Sequence, residues 1–272
     1  MPPCSSFFGG WLIPSREKNA ARLLTVICLF TINALNGPNS YAGDAARGIT
    51  PPAVGPKDQI SGGGADDAGS LRLPQFVTVN YIDLTKIAAI SRFRSGAGHD
   101  YSDDFEKRRS MKHYFTPKAN VVWSEVQIVS PVDGTVCGMT PEGLPHSGIQ
   151  LCINSSRFPA FHFVIFHVNP VENLKVGAAV TAGQPLGHHI GSVTTSDIAV
   201  RVNTPAGSRL VSYFALMTDE LFQTYQRRGI ANRDALIITR EARDADPLAC
   251  VGGKFESGGN IPNRVQLHDL LP

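Results

Sequence analysis

The sequence predicts a mainly β domain followed by a short α-helical appendage at the carboxyl end. Two observations lead to this: short runs rich in Val, Ile and Phe are separated by Gly, Pro and Asn, and a helix-capping pattern follows them. Runs of this length between turn residues are typical of strands, and their spacing suits a sandwich or barrel. The predicted strands are residues 126–129, 134–139, 149–153, 161–168, 197–202 and 210–216.

The run at 161–168 is apolar at both odd and even positions. A strand with two apolar faces is covered on both sides, so we expect it in the middle of the fold. Residues 76–90 predict a strand that leads into a short helix. The polar, Gly-containing residues 92–109 predict a surface loop.

The carboxyl part predicts two helices. Thr218 is a suitable N-cap, Asp219 and Glu220 suit the first helical turn, and Gly229 suits the end of the helix. A second helix is predicted at 233–243 and a loosely packed tail from 251 onward. We therefore place a β domain at 76–216 and the helical appendage and tail at 217–272.

The amino terminus has the order of a secretory signal peptide. Arg16, Lys18 and Arg22 come before or at the start of an apolar run at 23–35, and Ser40-Tyr41-Ala42 offers small residues for cleavage. The run is shorter than the roughly 20 residues that span a bilayer as a helix. We expect residues 1–42 to be removed and the rest to be periplasmic or extracellular. The alternatives are an uncleaved anchor or a buried core helix.

The mature chain carries no charge excess that would attract nucleic acid. The whole sequence has a formal charge of +2, and the leader removes three basic residues and one acidic residue, which leaves about zero. Residues 43–75 are rich in Gly, Pro, Ala and Asp and predict a flexible linker. No later segment is long and apolar enough to cross a membrane. Cys137 and Cys152 flank a predicted hairpin loop, so they form either a disulfide or two buried thiols.

Three motifs occur in order within residues 113–202. They are Ser130-Pro131-Val132-Asp133-Gly134-Thr135-Val136, then Phe166-His167-Val168, then a run from Val176-Gly177 to Gly183-Gln184-Pro185-Leu186-Gly187. Together they resemble the LytM/lysostaphin-type cell-wall metallopeptidases. The resemblance implies the barrel-sandwich fold of that family, called the duplicated hybrid motif.

That family holds a zinc ion through the His and Asp of an H-x-x-x-D segment and the second His of an H-x-H strand. A water molecule occupies the fourth coordination position, and the zinc ion lowers its pKa so that it forms hydroxide. The resemblance assigns His113, which lies 21 residues before Gly134, to the first ligand position. Pro117 stands four residues later, where the Asp ligand belongs. His113 is therefore the only candidate metal ligand at a family position.

The H-x-H strand aligns with Asp197-Ile198-Ala199. Ala199 stands at the last ligand position and Asp197 at that of a catalytic His. The other catalytic His is kept as His167, which would stabilise charge on the scissile carbonyl if the chain is active.

His188 and His189 follow the glycine run, and at most one of them can face inward because strand neighbours point to opposite faces. The candidate binding cleft consists of His113, His167, His189 and Asp197. A rearranged zinc site of His113, His189 and Asp197 is the alternative.

The resemblance and its departures lead to three hypotheses. The first is an exported, non-catalytic LytM-like protein, a pseudoenzyme without cofactor that binds cell-wall peptidoglycan or an envelope protein. The second is a zinc metalloendopeptidase that cleaves cell-wall peptides with non-standard ligands. The third is a structural envelope protein.

Overall fold

The computed structural model describes residues 73–143, 147–191 and 194–269. The predicted signal peptide and all but the last three residues of the predicted linker lie outside these ranges. Among the described residues, no helix has both the length and the apolar character needed to cross a membrane.

Antiparallel strands dominate the described residues, which confirms the predicted mainly β fold. In chain order they are β1 (Ile87–Ser91), β2 (His113–Pro117), β3 (Gln127–Val129), β4 (Gly134–Pro141), β5 (Ile149–Ser155), β6 (Phe161–Pro170), β7 (Ala179–Val180), β8 (Pro185–His189), β9 (Ser196–Thr204), β10 (Gly207–Val211), β11 (Cys250–Val251), β12 (Lys254–Phe255) and β13 (Arg264–Gln266).

Within the described ranges, 11 of these strands form one sheet in the order β13-β1-β2-β9-β6-β5-β4-β7. β10 pairs with β9, and β8 pairs with both β6 and β3, while β11 and β12 form a separate hairpin. β6 lies between β9 and β5, as predicted from its two apolar faces. Phe161, Phe163 and Ile165 on one face of β6 are fully buried in the main core.

The other face of β9 and β6 carries a smaller apolar cluster. Ala199 and Phe166 belong to it, together with Phe93, Met111 and Leu210. Ile198 and Val200 belong to the main core instead. Since alternate residues of a strand point to opposite faces, β9 divides the two clusters between its two sides.

Two elements of the β domain, one near each of its ends, differ from the prediction. A 3₁₀ helix at Leu84–Lys86 precedes the strand β1, so the predicted order of strand and helix was wrong. The last predicted strand is also shorter, because β10 ends at Val211 and a 3₁₀ helix follows at Tyr213–Leu216. The strand β1 and the 3₁₀ helix at Tyr213–Leu216 both contribute residues to the main core, and burial alone does not distinguish a strand from a helical turn.

The predicted surface loop at 92–109 is a packed segment. Glu106 forms ion pairs with Arg94 at 2.6 Å and with Arg109 at 2.8 Å. Asp103 accepts a hydrogen bond from the backbone N–H of Leu210 at 2.8 Å. Pairing of the charges within this segment allows their burial, which a composition-based prediction cannot detect.

The helices α1 (Asp219–Gln226) and α2 (Arg240–Ala245) confirm the helical character of the appendage. The Thr218 side chain caps α1 as predicted, and Gly229 has φ +87 after it. The second predicted helix is divided into a 3₁₀ helix at Arg233–Leu236 and α2, because Thr239 starts a new cap. The prediction of a loosely packed tail was wrong, since β13 pairs with β1 at the edge of the sheet.

A disulfide joins Cys137 and Cys152 on the paired strands β4 and β5. Replacing both cysteines by Ser removes a cross-link between residues 15 apart in sequence. A cross-link closing a loop of that size restricts the unfolded chain by about 3 kcal/mol. We expect the free energy of unfolding from urea titration to fall by about that amount. Wild-type protein under reductant serves as the control, and equal stability of the oxidised wild type and the double variant would contradict the prediction.

Candidate functional site

His167 lines a cleft of about 570 Å³. We call it the His167 cleft and define it by the side chains of Tyr101, Lys112, Tyr114, Glu142, Phe166 and His167. The cleft therefore receives residues from the segment before β2, from β2 itself, from the end of β4 and from β6.

The register of β2 on β9 decides which side chains reach the cleft. Tyr114 lies opposite Asp197, and His113 lies opposite Ile198. Residues opposite each other in an antiparallel pair share a face of the sheet. Tyr114 and Asp197 therefore face the cleft side, while His113 shares the core side with Ile198.

The backbone of His167 allows two consecutive residues of β6 to line the cleft. A regular strand would send Phe166 and His167 to opposite faces. His167 has φ +61, in the left-handed region that non-glycine residues rarely adopt. Here β6 also changes partner, because Ile165 pairs with β9 whereas Val168 pairs with β8. The irregular turn brings the imidazole to the same cleft as the Phe166 ring.

A buried ion pair lies at the bottom of the cleft. The ammonium of Lys112 contacts the carboxylate of Asp197, and their side chains are 2% and 0% exposed. Three rings surround the same ammonium, with centroids 3.9 Å (Phe166), 4.9 Å (Tyr101) and 5.0 Å (Tyr114) from Nζ. Aromatic faces attract a cation, so the rings and the carboxylate together stabilise the charged lysine.

The titration of this pair follows from the same contacts. Burial disfavours both charges, but Asp197 raises the pKa of Lys112 above its ordinary value. Lys112 and His167 in turn lower the pKa of Asp197 in spite of its burial. Both groups are therefore charged at neutral pH. The ammonium of Lys112 and the Nε2–H of His167, which lies 3.2 Å from Oδ1, together hold the Asp197 carboxylate in place.

His167 lies between two carboxylates. Its Nδ1 is 2.5 Å from Glu142 Oε2, and its Nε2 is 3.2 Å from Asp197 Oδ1. Its backbone N–H also donates to Glu142 Oε1 at 2.9 Å. Burial lowers the pKa of His167, but the two carboxylates raise it more, to about 10. The imidazole is therefore an imidazolium at neutral pH, with both N–H groups directed at carboxylates.

His113, the candidate metal ligand at a family position, lies away from the cleft in which it was predicted. Its Nδ1 is 2.8 Å from Ser91 O and its Nε2 is 2.9 Å from Ser212 Oγ. The Phe214 ring packs against it at 4.6 Å, and burial lowers its pKa to about 4. The predicted set of His113, His189 and Asp197 is not assembled, because β2 places His113 on the opposite face from Asp197.

His189 lies near the cleft without being one of its lining residues. It is buried, its ring lies 4.4 Å from Trp123 and 6.2 Å from His167, and the N–H of Gly191 donates to its Nδ1 at 3.1 Å. Burial lowers its pKa to about 4, so the ring is neutral. Of the predicted cleft residues, the structure brings His167 and Asp197 into contact, and His189 lies near them without contributing to the cleft lining.

Sequence reasoning gave no role to Lys112 and did not single out Glu142. The only signal for Lys112 was its place directly before His113 in the sequence. Glu142 had no such signal, because it approaches His167 through the hairpin between β4 and β5.

A separate group of potential ligand atoms lies on β4, β5 and β6. Within the described ranges, Cys137, Cys152 and His162 are the group whose ligand atoms lie within 4.8 Å of one another. Both sulfurs belong to the disulfide, so neither is a thiolate able to bind a metal.

No protein-family model matches the sequence, and no curated protein matches it. Solved structures do show similarity. Csd3 of Helicobacter pylori is 19% identical over 57% of this chain and 40% of its own, with a TM-score of 0.39. A zinc-containing peptidase from Vibrio cholerae is 16% identical over 53% and 41%, with a TM-score of 0.34. The catalytic domain of lysostaphin, an antimicrobial peptidase from Staphylococcus simulans, is 16% identical over 41% and 82%, with a TM-score of 0.28.

The chain thus spans 40% and 41% of the lengths of the first two proteins. These similarities are to structures of the type that the sequence motifs indicated, and they concern the fold alone.

The buried pair predicts a strong effect of removing one partner. Lys112→Met leaves Asp197 buried without its main cation, which typically costs about 3–5 kcal/mol of unfolding free energy. The double variant Lys112→Met with Asp197→Asn removes both charges, so we expect it to lose less than the sum of the single variants. Urea titration measures all three.

The matched control is Lys118→Met, because Lys118 pairs with Asp269 at 2.5 Å with side chains 36% and 78% exposed. An exposed pair of this kind is worth about 0–1 kcal/mol. Equal losses for the Lys112 and Lys118 variants would contradict the account of the buried pair.

His167 predicts a pH dependence of stability. Its folded pKa of about 10 lies above the ordinary 6.5, so its contribution is complete below pH 6.5 and is lost as the pH rises toward 10. The difference in unfolding free energy between wild type and His167→Gln should therefore shrink over that range. His162→Gln on the same strand is the control, since burial lowers the pKa of His162. An NMR titration that finds a neutral His167 imidazole at pH 8 would contradict the prediction.

Proposed function

We propose that the chain is an exported, non-catalytic protein whose His167 cleft binds peptides of the cell-wall peptidoglycan. The motifs at 113–202 supply the ligand class through their resemblance to cell-wall peptidases. Residues 1–42 have the order of a secretory signal peptide, which supports export to the periplasm or to the outside of the cell. The main support for a non-catalytic cleft is the charge arrangement around Asp197.

The centre of the cleft carries its own cations. Lys112 and His167 both contact Asp197, and Glu142 balances the second positive charge. A divalent ion placed beside Asp197 would meet two positive charges at short range, where Coulomb repulsion is strong and weakly screened. The residues around Asp197 therefore do not fit a zinc ion.

The family's ligand positions add to this argument. The side chains of Ala199 and Pro117 have no atom that can bind a metal ion. His113 has both ring nitrogens in hydrogen-bonding contact on the core side of β2. An open tetrahedral zinc site needs three protein donors that converge on one point. Those three positions do not supply such a set.

His167 also lacks the freedom that catalysis would need. In the resembling family, the His at this position stabilises the developing oxyanion by donating a hydrogen bond. Here Nδ1 faces Glu142 and Nε2 faces Asp197, so both donors are directed at the chain's own carboxylates. This arrangement supports binding in the cleft without hydrolysis.

Metal analysis and a binding assay test the proposal together. Purified mature protein is incubated with zinc, freed of excess ion, analysed for zinc, and mixed with muropeptides that a muramidase releases from murein. We expect muropeptides to bind and stay uncleaved, and zinc to remain far below stoichiometric. Stoichiometric zinc with chelator-sensitive cleavage would establish the zinc endopeptidase instead. No binding to murein or to muropeptides would leave a structural or protein-partner role and refute the proposal.

A variant that fills the cleft tests where the muropeptides bind. Gln150 lines the cleft and is partly exposed, so Gln150→Trp should obstruct it and weaken binding at least about tenfold, or about 1.4 kcal/mol. Gln127→Trp is the matched control, because Gln127 is an exposed strand residue outside the cleft lining. Calorimetric titration measures both. Equal weakening by the two substitutions would exclude this cleft as the binding site.

A further inference from the structure

The carboxyl-terminal residues form one wall of the His167 cleft. The hairpin β11–β12 is attached to the segment before β2, because the N–H of Asp100 donates to Gly253 O at 2.7 Å and Lys254 forms a bridge with His99. β13 places Arg264 opposite Ser91 of β1. Through these contacts Lys254 and Arg264 become cleft-lining residues.

These two wall cations differ from those at the cleft centre. Both residues are exposed, and among the described residues no carboxylate lies at ion-pair distance from either of them. Arg264 donates from Nη1 to Thr116 Oγ1 at 2.5 Å, which orients the guanidinium and leaves its other donors available.

The carboxylates at the cleft centre pair with the cations there and do not neutralise Lys254 and Arg264 of the wall. Lys112 and His167 are matched by Asp197 and Glu142 in direct contact. Asp100 also lines the cleft and adds one negative charge, but it is 7% exposed and its Oδ1 accepts hydrogen bonds from the Ser102 hydroxyl and the Arg109 N–H, so the two exposed cations of the wall outnumber it. The accessible wall therefore offers positive charge to a ligand.

We propose that Lys254 and Arg264 form a carboxylate-recognition subsite for the peptide bound in the His167 cleft. The inference rests on the proposed function and adds the chemical group that the wall recognises. An arginine presents a planar fork that matches a carboxylate, and a lysine adds a mobile point charge. The ring of Tyr101, which lines the cleft and is partly exposed, provides apolar contact for the rest of the peptide.

Calorimetric titration with muropeptides tests the subsite. The variant Lys254→Gln with Arg264→Gln should bind about tenfold more weakly, because charge-assisted hydrogen bonds to the carboxylate are lost. The matched control is Lys175→Gln with Arg227→Gln, which removes two exposed cations outside the cleft and should bind as wild type does. Arg264→Lys in the Lys254 wild-type background should lose less affinity than the double variant but bind more weakly than wild type, because it retains the charge and loses the planar fork.

A second arm blocks the carboxylates of the ligand. A synthetic stem peptide is prepared as the free acid, as the terminal amide and as the side-chain amide. We expect one of the two amides to bind wild type about as weakly as the free acid binds the double variant. The amide that does so identifies which carboxylate the wall recognises.

The outcomes separate the two proposals. Absence of muropeptide binding by wild type overturns the proposed function. Wild-type binding that is unchanged by the double substitution and by both amidations overturns the subsite alone. Circular dichroism and thermal unfolding of the variants confirm that they fold, and equal losses in the double variant and its exposed-cation control would also overturn the subsite.

Discussion

The arrangement of the cleft depends on the buried ion pair between Lys112 and Asp197. A carboxylate that is 0% exposed needs a cation beside it, since an isolated buried charge costs several kcal/mol. The chain supplies two, an ammonium enclosed by three aromatic rings and an imidazolium that is also held by Glu142. The positive charge beside Asp197 thus comes from the protein's own side chains, Lys112 and His167. The register of β2 on β9 places Asp197 on the cleft side, where these cations meet it.

The same register explains why the candidate residues do not act together. His113 and Asp197 belong to adjacent strands, yet they face opposite sides of the sheet because His113 is paired with Ile198. A shift of one residue would have exchanged the two faces. In the observed register, Tyr114 and Asp197 share the cleft side of the sheet.

Sequence patterns predicted the parts of the fold whose residues carry a repeating signal. The central strand β6 was predicted from two apolar faces, and α1 from the Thr218 cap, because each depends on neighbours in the sequence. The segment at 92–109 and the strand β13 were missed, since their order comes from ion pairs and from the edge of β1. Of the cleft, His167 and Asp197 were found through motif positions. Lys112 and Glu142 were not, because they reach the cleft through long-range pairing and a hairpin.

The central claim is that the chain's own cations occupy the surroundings of Asp197. The most direct test is a crystal structure from crystals grown with zinc, with anomalous data collected at the zinc absorption edge. The account predicts density for the Lys112 side chain in contact with Asp197 and no anomalous peak at bonding distance from that carboxylate. An anomalous peak bound to Asp197, with Lys112 displaced from it, would contradict the account.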